Sequence, residues 1–86
     1  MKYRSNNTKV TAYKIEEYNL DCPKTVRLTN GENLNLWRSD MDVLHEAARL
    51  TKSNLNGYWL VFYEDGTPSV WTDRTFKSSF VKVDNN

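Results

Sequence analysis

The chain has 86 residues, with 12 Lys and Arg against 11 Asp and Glu and a formal net charge of +1. That length holds one domain with a thin core, and the near-neutral balance argues against a dedicated polyanion binder or a DNA mimic, which need strong charge of one sign. Cys22 is the single cysteine, so no internal disulfide braces the fold, and no apolar run reaches the length of a membrane span.

Residues 1–7 are polar and read as frayed, as do residues 84–86. The opening lacks the apolar centre of a signal peptide, so the expectation is a soluble cytoplasmic protein without membrane contact. Residues 8–15 (TKVTAYKI) are rich in β-branched and aromatic side chains and predict a strand, which Pro23 keeps from running on. Val26 and Leu28 alternate with polar residues before Asn30-Gly31, and Leu34 and Leu36 after it. This pattern predicts a hairpin with a two-residue turn at Asn30-Gly31. Its Val and Leu side chains face the core, while Arg27, Asn33, Asn35 and Trp37 face the other way.

Ser39-Asp40-Met41-Asp42 predicts a helix start, with Ser39 as cap and acidic residues at the positive helix end. Met41, Leu44, Ala47, Ala48 and Leu55 form one apolar arc, widened by Val43 and Leu50, with Asp42, His45, Glu46, Arg49 and Lys52 opposite. The helix is expected over about 40–53, closed by Gly57. Residues 58–63 (YWLVFY) are six large apolar residues in a row and need cover on both faces, which makes them the centre of the sheet. Asp65-Gly66 turns the chain into a partner strand with Trp71. A capped turn at 72–76 tucks in Phe76, and 79–83 is a last short strand. The fold expected is α+β: a small, curved, mainly antiparallel sheet of about five or six strands with one helix on one face.

Chemistry is sparse. His45 with Asp42 and Glu46 shares a helix face, but neither a second histidine nor a cysteine pair completes a metal site. Cys22 has no histidine tied to it and reads as a partly buried structural thiol. Gly31, Gly57 and Gly66 each belong to a turn or cap, and none builds a phosphate loop. The expectation is therefore a protein that is not an enzyme and carries neither metal nor cofactor. If one helix covers one sheet face, aromatics on the other face form a binding surface. The pool for it is Trp37, Arg38, Trp59, Tyr63 and Trp71. The alternative is a nucleic-acid surface of Lys14, Arg27, Trp37, Arg38 and Lys82, with an aromatic between cations. Exposed strand edges add a route to a homodimer.

Both ends of the chain resemble a family of small bacteriophage and prophage proteins of unassigned function. The likeness lies in Met1-Lys2-Tyr3-Arg4, then Val10-Thr11-Ala12-Tyr13. It resumes at Gly57-Tyr58-Trp59-Leu60-Val61, Gly66, Val70-Trp71, Asp73 to Phe76 and Phe80-Val81-Lys82-Val83. It departs at Asn6-Asn7-Thr8, where that family has Lys-Pro, and through the whole middle of the chain. The resemblance implies a phage accessory protein in the host cytoplasm that binds and modulates or inhibits a host protein, anti-defence proteins included. The alternatives are a small nucleic-acid-binding regulator and a minor structural or self-assembling phage protein.

Overall fold

The strand Thr8–Glu17 organises the molecule, because at ten residues it is long enough to carry different partners along its two edges. In the computed structural model, which describes residues 2–5 and 8–83, nine elements follow one another. They are β1 (Lys2–Ser5), β2 (Thr8–Glu17), β3 (Thr25–Leu28), β4 (Asn33–Asn35), α1 (Arg38–Thr51), β5 (Trp59–Tyr63), β6 (Pro68–Trp71), α2 (Asp73–Ser79) and β7 (Val81–Lys82). The class is α+β as expected, with every strand pair among the described residues antiparallel and the sheet left open.

Val10 and Thr11 pair with Tyr63 and Phe62 of β5 and also with Tyr3 and Lys2 of β1, so β1 and β5 take opposite edges of β2. Ile15 exchanges backbone bonds with Tyr58 and Gly57 on the β5 edge, while the carbonyl of Lys14 accepts from Thr29 N–H at 3.0 Å. Successive residues of a strand point their backbone groups to opposite edges. So β3 follows β1 along one edge of β2, where a register shift between Ile15 and Glu17 bends the strand away. β4 extends β3, β6 extends β5 and β7 extends β1.

Three expected element boundaries need correction. Lys2–Ser5 is a paired strand and not a frayed end, which raises the strand number to seven among the described residues. The expectation for residues 84–86, and for Met1, Asn6 and Asn7, lies outside the described residues. The capped turn at 72–76 is a second helix, α2, which shortens the last strand to Val81–Lys82. Helix α1 runs over Arg38–Thr51, two residues earlier than expected at each end.

Both hairpin loops have three residues and one design. Gly31 N–H donates to Leu28 O at 3.0 Å and Leu28 N–H to Glu32 O at 2.8 Å; Gly66 and Tyr63 repeat this with Tyr63 and Thr67 at 2.9 and 3.0 Å. The residue before each glycine, Asn30 or Asp65, accepts from the N–H two residues on at 2.9 Å. Only the glycines hold positive φ, 89° and 88°, so the expected two-residue turn with both central residues left-handed does not form.

Helix α1 is capped by Asp40 and not by Ser39: its Oδ2 accepts from Trp37 N–H at 2.9 Å, and the indole has no acceptor to reciprocate. The helix closes on Lys52, left-handed at φ 52°, whose N–H donates to Ala48 O. Gly57, φ 86°, serves the approach to β5 instead.

The sheet has a core on each face. Ile15, Tyr18, Val26, Leu28, Leu44, Ala48, Leu55 and Leu60 pack under α1, with Leu34, Leu36 and Val70 against them. Val10, Ala12, Trp59, Val61, Phe76 and Phe80 pack under α2, with Tyr3, Tyr63 and Trp71. Period-two alternation along β2 and β5 sorts the residues between the faces. Leu50, expected to widen the apolar arc of α1, is 70% exposed. Among the described residues no helix is long and apolar enough to cross a membrane.

Candidate binding groove

The expected aromatic pool does not form one surface. Trp59, Tyr63 and Trp71 lie on the α2 face, and Phe76 of α2 covers Trp59. Trp59 is 6% exposed, stacks on Phe76 at 4.1 Å, and donates its indole Nε1–H to Asp73 Oδ1 at 2.8 Å. Lys14 and Lys77 reach the same carboxylate at 3.6 and 3.2 Å. The Trp59 bond holds the Asp73 carboxyl below its ordinary range; burial, the next largest effect, opposes it, and Lys77 and Lys14 each lower it by less. Trp71 is half-buried, packs edge-on against Phe80 at 5.0 Å and donates to Ser69 Oγ at 2.8 Å. Tyr63 is half-buried beside it. Trp59 serves the interior, because a second helix supplies the cover that one helix could not, and Tyr63 and Trp71 lie half-buried against the same cluster.

Trp37 and Arg38 stand elsewhere, at the start of α1, where both are exposed; Trp37 is 81% exposed. The alternation of β4 stops at Asn35 and the helix begins at Arg38, so Trp37 leaves the side expected for Arg27 and lines a hollow on the α1 face. The nucleic-acid set is divided likewise. Lys14 is spent on Asp73 and lies 6.0 Å from the Trp59 ring, while Arg27 pairs with Glu17 at 3.8 Å. Lys82 pairs with Tyr3 across β7 and β1, and so shares the α2 face with it. No one surface holds all five.

What the structure brings together was missed in the sequence. Helix α1 covers Leu60 of β5 and Val70 of β6, but the next row across the sheet, Lys2–Thr11–Phe62–Pro68, stays open. A hollow of about 450 Å³ lies there, walled by Tyr13, Leu34 and Phe62, rimmed by Trp37 and lined also by Asp40. Tyr13 and Phe62 meet edge to edge at 6.1 Å. A second hollow of about 200 Å³, with Lys2, Lys9 and Glu64, shares Thr11 and Phe62 with the first. The two form one groove. The usable signal was the alternation of Lys2, Arg4, Lys9 and Thr11 with Tyr3 and Val10, which gives the first two strands one polar and one apolar face.

The groove can bury a large side chain and hold it by contact. Its carboxylate at Asp40 is 3% exposed and committed to the Trp37 backbone. Cys22 and His45 are both exposed and line neither hollow of the groove, so Cys22 is not the partly buried thiol expected. Among the described residues no three His, Cys, Asp or Glu side chains are grouped to hold a metal ion. No protein-family model, no curated protein and no solved structure matches the chain.

Proposed function

We propose that the protein is a non-enzymatic binding protein that engages another protein through Trp37 and the adjoining hollow. The observation that carries this reading is the placement of Trp37: an indole 81% exposed beside an open hollow of about 450 Å³ with Tyr13, Leu34 and Phe62 in its walls. Aromatic anchors next to a partly formed apolar pocket are the makings of an interface centre, and Arg38 gives it a cationic rim. On its resemblance to small phage proteins, the partner is a bacterial host protein, met in the host cytoplasm and modulated or inhibited by being covered.

The test is a pull-down of tagged protein from bacterial lysate, with and without nuclease, using wild type and Trp37→Ala. One stoichiometric protein that survives nuclease and is lost with Trp37→Ala supports the reading. The substitution should weaken that complex by about 2 kcal/mol or more. Material bound equally by both proteins sinks the role of Trp37. Loss of everything on nuclease treatment turns the reading toward nucleic acid, and a concentration-dependent dimer without other partners turns it toward self-assembly.

A further inference from the structure

The open half of the α1 face carries charge that the fold does not use. Arg4 of β1 and Lys9 of β2 are direct cross-strand partners, and both are exposed. Tyr3 and Val10, the neighbouring pair, point into the α2 core, so Arg4 and Lys9 project from the opposite face. Like charges opposed in this way repel and destabilise the strand pair. Lys2, opposite Thr11, adds a third exposed cation to the same face. Among the described residues none of the three makes an ion pair; the pairs present belong to Lys14, Arg27 and Lys77. Lys2 and Lys9 line the smaller hollow, which joins the larger one at Thr11 and Phe62. The groove thus runs from a cationic end, past an apolar middle, to Trp37 and the Asp40 carboxylate.

We infer that the partner segment this groove takes is an acidic peptide stretch. Its Asp or Glu side chains meet Lys2, Arg4 and Lys9, and one large apolar side chain fills the hollow between Tyr13, Leu34 and Phe62. A carboxylate seated between Arg4 and Lys9 relieves their repulsion, so part of the affinity comes from removing an unfavourable term of the free protein. Single-stranded nucleic acid satisfies the cations equally well. Its evenly spaced phosphates, however, would then run past Glu64 and Asp40, which line the same groove. A peptide with its charges confined to the cationic end also meets Glu64, beside Lys2 and Lys9, but stays clear of Asp40. The inference rests on the reading of Trp37 as an interface anchor.

The test is selection of a displayed library of random dodecapeptides on the full chain, followed by titration of the selected peptides, and of the oligonucleotide dT12, against three proteins: wild type, Arg4→Glu and Trp37→Ala. Selected sequences should place an Asp/Glu cluster to one side of a Trp, Phe or Leu. Arg4→Glu should weaken them about tenfold or more. The same substitution should raise the thermal midpoint, because it turns a like-charge pair into an opposite one. Trp37→Ala should lose acidic peptides and their Glu→Gln counterparts alike. Selected peptides without acidic bias, or indifferent to Arg4→Glu, overturn the charge inference and leave the Trp37 reading standing. A selection yielding nothing that depends on Trp37 removes that reading and this inference with it. Tighter binding of dT12 than of any selected peptide, lost at moderate salt, overturns the inference in favour of nucleic acid.

Discussion

On the α2 face Trp59 stacks on Phe76 at 4.1 Å, Phe76 on Phe80 at 5.0 Å, and Tyr3 closes against both Trp59 and Phe76. On the α1 face Tyr13 and Phe62, which alternate with Ala12 and Val61 of that core, pair edge to edge at 6.1 Å and keep one side open to a hollow. The same strands supply both sets, so strand pattern alone does not decide which aromatics become core. The helices decide it. Short α2 brings Phe76, with Phe80 directly after it, straight onto Trp59, whereas the longer α1 lies over Leu60 and Val70 and stops short of the Thr11–Phe62 row. The α2 face is closed over its aromatics, while the α1 face leaves an open hollow beside its core.

The largest expected effect breaks the contrast if it fails. Phe76→Ala should cost about 3–5 kcal/mol in urea unfolding, as truncation of a buried aromatic does, while Phe62→Ala should cost about 1–2 kcal/mol. Equal losses would mean that the two faces are packed alike. Next comes Trp59→Phe, which keeps the ring stack and removes the indole bond to Asp73. The Asp73 carboxyl is held below its ordinary value in the folded protein, first by that bond. Its contribution is therefore present above the unfolded carboxylate range and lost as pH falls through the lower folded value. Wild type should exceed Trp59→Phe in stability at neutral pH, and the gap should narrow below about pH 4. A gap that stays constant into acid would show that Asp73 does not report on this bond.

A smaller effect sharpens the comparison from the other side. Lys52 closes α1 at φ 52°, a conformation that glycine adopts without strain. Lys52→Gly should stabilise the protein by about 0.5–1 kcal/mol in thermal unfolding and leave peptide binding unchanged, since the residue lines neither hollow of the groove. Smallest of all is Trp37→Ala on stability: within about 0.5 kcal/mol, as for an exposed side chain outside any packed contact.

Much of the α1 side was legible. Val26, Leu28 and Leu34 alternate in the sequence and do face one core, and the apolar arc of Leu44 and Ala48 does pack onto the sheet. What was not legible has physical reasons. In the sequence of Lys2–Ser5 only Tyr3 is apolar, too little alternation to mark a strand without its partner β2. Helix α2 has a single buried side chain, Phe76, among polar neighbours; its capped start was legible and is Thr72, accepting from Thr75 N–H at 3.2 Å, whereas its length was marked only by Phe80 one turn beyond Phe76. In residues 58–63 every side chain is apolar, so the run announces two covered faces without saying which aromatic stays accessible. Trp37 was placed by extending a strand period past Asn35, where the backbone had already turned toward the helix.

The contrast between the faces is tested most directly by indole N–H exchange of the three tryptophans, followed by NMR. Trp37 should exchange at the rate of a free indole. Trp59, bonded to Asp73 at 2.8 Å, and Trp71, bonded to Ser69 at 2.8 Å, should be protected. Protection of Trp37 equal to that of Trp59 would contradict an open α1 face, and free exchange at Trp59 would contradict a closed α2 face.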